Sequence, residues 1–154
     1  MSIQSIAKEI SQYLLGEYDG KQSIPSVFCG NKPPSICLEE YIVRLMTYSN
    51  VMLEHREESF VIYCARVAKY YIDQLGLKIS SNSVHRLFTT AFLLAIKILD
   101  DECISLTYWG AVSGCSMKAV AEMELAFCEQ LEWNFHYDVV TQRTPMESQK
   151  IPSY

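Results

Sequence analysis

A chain of 154 residues with 49% hydrophobic and 20% charged residues has the balance of one globular domain with its own core, not of a disordered tail. A net charge of -5 and the lack of any basic run argue against nucleic acid as the main partner, because phosphate neutralisation dominates that affinity, and favour a basic or mixed protein surface. The longest apolar stretch, Leu87 to Leu99, is broken by Thr89, Thr90 and Lys97 and falls short of the roughly 20 residues a bilayer requires, so no membrane segment is expected.

Met1-Ser2-Ile3-Gln4-Ser5 lacks a basic start and a continuous apolar run, so no signal peptide is expected and the protein should stay inside the cell. Ile3, Ile6, Ile10 and Tyr13/Leu14 share one face ahead of Gly16, which predicts an amphipathic helix over 2–15 that must dock on something. Residues 17–34 hold Gly20, Pro25, Gly30, Pro33 and Pro34 and read as a connector. Ser35 is a candidate N-cap for a helix with Leu38, Tyr41/Ile42, Leu45, Ser49 and Met52 on one face and an acidic first turn at Glu39 and Glu40, ending near Glu54.

A second ladder, Phe60, Cys64, Val67/Ala68, Tyr71/Ile72 and Leu75, stops at Gly76. From Val84 to about Asp101 the chain is apolar almost all round, with Asn82 or Ser83 as candidate cap, which marks the centre of the fold. Ser105 can cap a short helix over 106–112 closed by Gly114, and Ser116 a last one through Val120, Met123, Phe127, Leu131 and Trp133. The sum is an all-α chain with five helices after the connector; the one stretch with any strand character is Phe135 to Val140. Residues 138–154 read as a polar tail whose Thr144-Pro145 pair could take a proline-directed phosphate or be ordinary tail.

The six cysteines, Cys29, Cys37, Cys64, Cys103, Cys115 and Cys128, show no C-x-x-C pair and no close histidine, so they read as small buried hydrophobes and no metal or other cofactor is expected. His55, His85 and His136 lack a nucleophile or carboxylate constellation, and no glycine-rich phosphate loop occurs; no catalytic residue and no small-molecule substrate are expected.

Two charges stand out. Lys97 sits in the apolar central helix, where a cation must pair or reach water, and Asp101 at i+4 offers a surface pair. Glu124 has Val120, Ala121, Phe127 and Cys128 as its helical neighbours, so its partner must be distant in sequence, water or another molecule. Arg44 follows Glu40, and Asp73 follows Lys69, at the spacing of exposed pairs.

Val84-His85-Arg86-Leu87 leading into Leu93-Leu94-Ala95-Ile96-Lys97-Ile98-Leu99-Asp100-Asp101, then Tyr108-Trp109-Gly110-Ala111-Val112-Ser113-Gly114, then Met123-Glu124 with Leu131, Trp133 and Phe135, resembles the cyclin box of P/U-type cyclins, relatives of the fungal phosphate-response cyclin. The likeness runs from about Pro34 to Tyr137 and implies a single five-helix cyclin box over 35–137 around a nearly buried third helix, flanked by the N-terminal helix of 1–16.

By this resemblance Lys97 and Glu124 are the groups a cyclin offers to its kinase near the regulatory helix of the small lobe, each held isolated until the complex compensates its desolvation. It places Ile98, Cys128, Trp133 and Phe135 in the apolar part of the same contact; core packing is the alternative for Trp133. It also implies an internal Arg44–Asp73 ion pair bracing the box. The substrate-docking patch of many cell-cycle cyclins is largely lost, its positions holding Val43, Thr47 and Asn50. The implied function is binding and activation of a cyclin-dependent protein kinase; the alternative is a cyclin-fold adaptor that activates none.

Overall fold

The computed structural model describes residues 1–53, 57–100 and 105–137. Its elements are helices: α1 Ile3–Gln12, α2 Leu38–Met52, α3 Glu58–Leu75, α4 Val84–Leu99, α5 Leu106–Ser113 and α6 Met117–Gln130, with a π-helical turn at Tyr13–Glu17 and a 3-10 turn at Ser26–Phe28. Strand pairing among the described residues is limited to one isolated bridge, Gln22 with Leu77, and 135–137 are not extended into a strand. The all-α expectation holds. Residues 138–140, Glu54, His55, Asp101, Cys103 and Thr144-Pro145 lie outside the described residues.

Helix starts follow the predicted chemistry in part. Ser105 accepts from Tyr108 N at 3.2 Å and Ser116 from Ala119 N at 3.0 Å, each satisfying an orphan amide. The start of α2 differs from expectation. Cys37, not Ser35, is its N-cap and gives no side-chain bond, so the acidic first turn, Glu39 and Glu40, is what complements the helix dipole there. Ser83 caps α4 by position alone, because its hydroxyl accepts from Ser80 N at 2.9 Å instead. Gly76 ends α3 at φ +61, a conformation that costs a side-chain-bearing residue about 1 kcal/mol or more.

α4 is the axis. Its buried face includes Leu87, Phe88, Ala91, Phe92, Leu93, Ala95 and Ile96, and it packs against α2, α3 and α6. Truncating a fully buried ring such as Phe92, which stacks near Phe88 and Trp109, would cost about 3–5 kcal/mol. α1 inserts Ile3, Ile6, Ala7 and Ile10 into the same core against α2 and α3, which is where its apolar face docks. The connector is pinned where it passes α3: Lys21 N and Gln22 N donate to Gly76 O, Lys78 N to Gln22 O, and a Cβ on Gly20 would run into Leu77 O.

Candidate functional site: a charged pair beside an exposed tryptophan

Lys97 lies in the last turn of α4, and its ammonium meets Glu124 of α6 at 2.6 Å from Nζ to Oε2. The two charges therefore satisfy each other across the groove between helices. This corrects the expectation that each stands isolated in the free chain. Their side chains are 31% and 25% exposed, so the pair sits at the surface, strengthened by partial desolvation yet open to a competitor.

Cys128, one turn beyond Glu124, is only 5% exposed and supports this surface from beneath; burial, then the Glu124 charge, pushes its thiol pKa up, so it remains a neutral filler. Ile98, next to Lys97, is 44% exposed.

After α6 the chain turns sharply. Glu132 and Trp133 both take positive φ, 55 and 60, with Trp133 N donating to Cys128 O at 2.9 Å. Left-handed backbone at a bulky aromatic is costly, about 1–3 kcal/mol, and the packed surroundings sustain it. Its result is to turn Trp133 outward, 60% exposed, against the edge of Phe135 with ring centroids 6.4 Å apart. Core packing is thus not the role of Trp133. Phe135 is half-buried and anchored from behind, because Tyr71 donates to its carbonyl at 2.8 Å and the two rings meet edge-on.

The structure does not join Arg44 to Asp73. Arg44 donates from Nη2 to Ala111 O near the carboxyl end of α5, at 3.4 Å. Asp73 accepts instead from Tyr13 Oη at 2.7 Å and from Lys69 Nζ at 3.3 Å, with that ammonium 4.1 Å from the Tyr13 ring centre. The cause is the docking of α1 and its π-helical turn on α3, which brings Tyr13 to the carboxylate. Burial and the Asp73 carboxylate together push the Tyr13 phenol far above its ordinary range. Asp73 thus braces the N-terminal helix against α3, a role the sequence pattern alone did not suggest.

Among the described residues no helix is long and apolar enough to cross a membrane and no cluster of His, Cys, Asp and Glu could hold a metal. The five cysteines among the described residues form no disulfide with one another. Cys64 and Cys128 are buried as expected, whereas Cys29, in the connector, and Cys37, at the N-cap of α2, are exposed, because both lie on irregular chain at the surface.

The cyclin family model matches residues 4–135. Similar relatives include Cyclin-U4-1 of Arabidopsis thaliana, 33% identical over 102 residues that cover 66% of this chain and 48% of that protein. Cyclin-U4-3 of Arabidopsis thaliana is 31% identical over 122 residues, 76% of this chain and 52% of its own, and Cyclin-P4-1 of Oryza sativa subsp. japonica 30% over 107 residues, 66% and 46%. The chain spans about half the length of these curated relatives. With the family match running through all six helices and relatives of both the U and P types, the chain belongs to the cyclin family, as a P/U-type member with the all-α cyclin-box fold.

Proposed function

We propose that this chain is the regulatory subunit of a cyclin-dependent protein kinase, and that it activates the kinase by holding its small-lobe regulatory helix in the productive position. The observation that carries the reading is the surface built from the Lys97–Glu124 pair, exposed Ile98, and Trp133 backed by Phe135. An outward aromatic anchored on a rigid base beside a charge pair is the arrangement of an interface hot spot. Strain at Trp133 makes the same point from the backbone, since a costly conformation that exposes a tryptophan has no evident folding benefit.

On binding, the ammonium of Lys97 and the carboxylate of Glu124 exchange their mutual bond for complementary groups of the kinase. Both surfaces are therefore pre-aligned, with the pair acting as its own placeholder in the free chain. The chemistry of phosphoryl transfer stays with the kinase, and this chain contributes a shift in the population of the active arrangement.

The test is co-purification from native cells with wild-type bait and with a Lys97→Ala/Glu124→Ala bait, followed by a kinase assay on each eluate. Activity recovered with wild type and lost with the folded double variant supports the reading. A wild-type bait that recovers a partner but no phosphotransfer supports a cyclin-fold adaptor instead.

A further inference from the structure

Beyond Trp133 the chain runs back along α3, and its side chains alternate: Phe135 and Tyr137 are half-buried, whereas Asn134 and His136 are exposed. Such alternation belongs to an extended segment with one face on a surface, here the side of a helix and not a sheet edge. Phe135 is tied to α3 by Tyr71, whose hydroxyl donates to its carbonyl at 2.8 Å.

Tyr137 is gripped separately. Its ring stands edge-on to Tyr70, with centroids 4.9 Å apart and planes at 83°, and edge-on to Tyr63, at 5.8 Å and 86°. Tyr63 and Tyr70 both belong to α3 and lie two turns apart on one side of it, so the Tyr137 ring bridges them. Edge-on rings are a favourable arrangement, because the positive edge of one meets the negative face of the other, and they fix orientation as well as distance.

This grip bears on Trp133. The left-handed backbone of Glu132 and Trp133 is fastened to α6 on its near side, through Trp133 N on Cys128 O at 2.9 Å. On its far side it is fastened to α3, through Phe135 and Tyr137. A strained turn persists when its surroundings hold both ends, and relaxes when one end is released. With its side chain 60% exposed, Trp133 has little contact area of its own, so its orientation derives from what grips the chain on either side.

We propose that Tyr137 is a positioning residue for Trp133: clamped between Tyr63 and Tyr70, it pins the chain after the left-handed turn, so that the tryptophan ring is presented to the kinase in one orientation. The consequence for the kinase rests on the binding role proposed for Trp133, whereas the clamp is a property of the free chain. An aromatic held in its bound orientation associates more tightly than a mobile one, because its freedom is already lost before the encounter.

The experiment uses the two tryptophans of the full chain as reporters. Fluorotryptophan labelling gives one fluorine NMR signal from Trp109, 1% exposed in the core, and one from Trp133, assigned by its loss in Trp133→Gly. Tyr137→Leu keeps apolar bulk but removes the ring. It should narrow the Trp133 signal and move it toward that of free fluorotryptophan, with the Trp109 signal unchanged. Tyr63→Leu, at the jaw that is 38% exposed, should act in the same direction and also spare Trp109. Tyr137→Phe retains the ring and should leave both signals in place. Kinase affinity should fall by about three- to tenfold in Tyr137→Leu, the equivalent of one edge-on aromatic pair, and the same substitution in a Trp133→Gly chain should lower it no further.

A Trp133 signal that stays in place in both leucine variants would overturn the proposal. So would an equal displacement of the Trp109 signal, which marks a general loss of packing, or a further loss of affinity in the Trp133→Gly chain, which makes Tyr137 a contact in its own right. Wild-type protein that binds no kinase overturns the proposed function instead, and the fluorine signals still decide the clamp.

Discussion

Lys97 and Glu124, 27 residues apart, close a 2.6 Å ion pair between α4 and α6, so the two charges proposed to meet a kinase already meet each other. Breaking a pair that is about a quarter to a third exposed removes a modest attraction and leaves a partly hydrated charge behind. Lys97→Ala and Glu124→Ala should each destabilise by about 1 kcal/mol, and the double variant by little more than either single, because the second change removes the orphan the first created. Chemical denaturation checks this. Kinase affinity should respond differently, each single variant losing tenfold or more and the double losing most, since in the proposed complex the two residues bond to separate groups.

Trp133 gives a cleaner separation of folding from binding. At φ 60 its backbone is strained, and its ring is 60% exposed, so removing the side chain sacrifices little burial. Trp133→Gly should leave the melting temperature within a few degrees of wild type, relief of about 1 kcal/mol of strain offsetting the lost contact with Phe135. Kinase binding measured on the same protein should fall by tenfold or more. A large drop in stability would show that the ring serves the fold.

Much of this architecture was readable in advance, for reasons visible in particular residues. Ile3, Ile6 and Ile10, or Phe60, Cys64, Val67 and Tyr71, repeat at helical spacing because one face must be buried, and Gly76 and Gly114 stop helices through the left-handed backbone they alone adopt cheaply. Tertiary pairing is another matter. Helical spacing leaves Glu124 with a distant residue, water or another molecule as its partner, and nothing in that spacing selects Lys97 from the other cations; that choice depends on how α6 crosses α4. Tyr13 on Asp73 was hidden for the same reason, and the left-handed turn at Glu132–Trp133 has no glycine or asparagine to announce it.

The partners found for Arg44 and Asp73 make the bracing argument quantitative. Because they bond to Ala111 O and to Tyr13 and Lys69 respectively, a double-mutant cycle between Arg44→Ala and Asp73→Ala should show coupling no larger than about 0.3–0.5 kcal/mol, the level of independent sites. The Tyr13→Phe and Asp73→Asn cycle should show about 1 kcal/mol, the worth of a half-buried hydrogen bond with a charged acceptor. Asp73→Asn should also loosen α1, read as faster amide exchange across Ile3–Gln12.

On the acid side His85 is the group to watch. Its folded pKa is lowered chiefly by burial, so the unfolded chain binds more protons as pH falls below about 6.5, and the stability it confers is complete above that value and lost below it. The ring of Tyr41 and the guanidinium groups of Arg44 and Arg86 face the same region. In phosphate-free buffer, stability should fall between pH 7 and pH 5, and His85→Gln should flatten that part of the profile. An unchanged slope in the variant would assign the acid sensitivity to other groups.

On the alkaline side the tyrosines set the limit. Burial raises the phenols of Tyr18 and Tyr71 to about 12, and pushes Tyr13 and Tyr41 upward as well, with Asp73 reinforcing the shift at Tyr13. Tyr18 donates to Leu77 O at 2.6 Å, Tyr71 to Phe135 O and Tyr41 to Ser113 O at 2.6 Å, bonds that a phenolate cannot make. In the unfolded chain these groups ionise near 10, so above that pH the folded state holds more protons and stability declines until the folded phenols themselves ionise. Melting temperature should be level from pH 8 to 9 and drop steeply beyond about pH 10. Tyr71→Phe should lower stability near neutrality by about 1 kcal/mol, through the lost bond to Phe135 O, and make the alkaline decline shallower by one proton. Because that same bond anchors the base under Trp133, the variant should also weaken kinase binding at pH 7 while leaving the Lys97–Glu124 coupling intact.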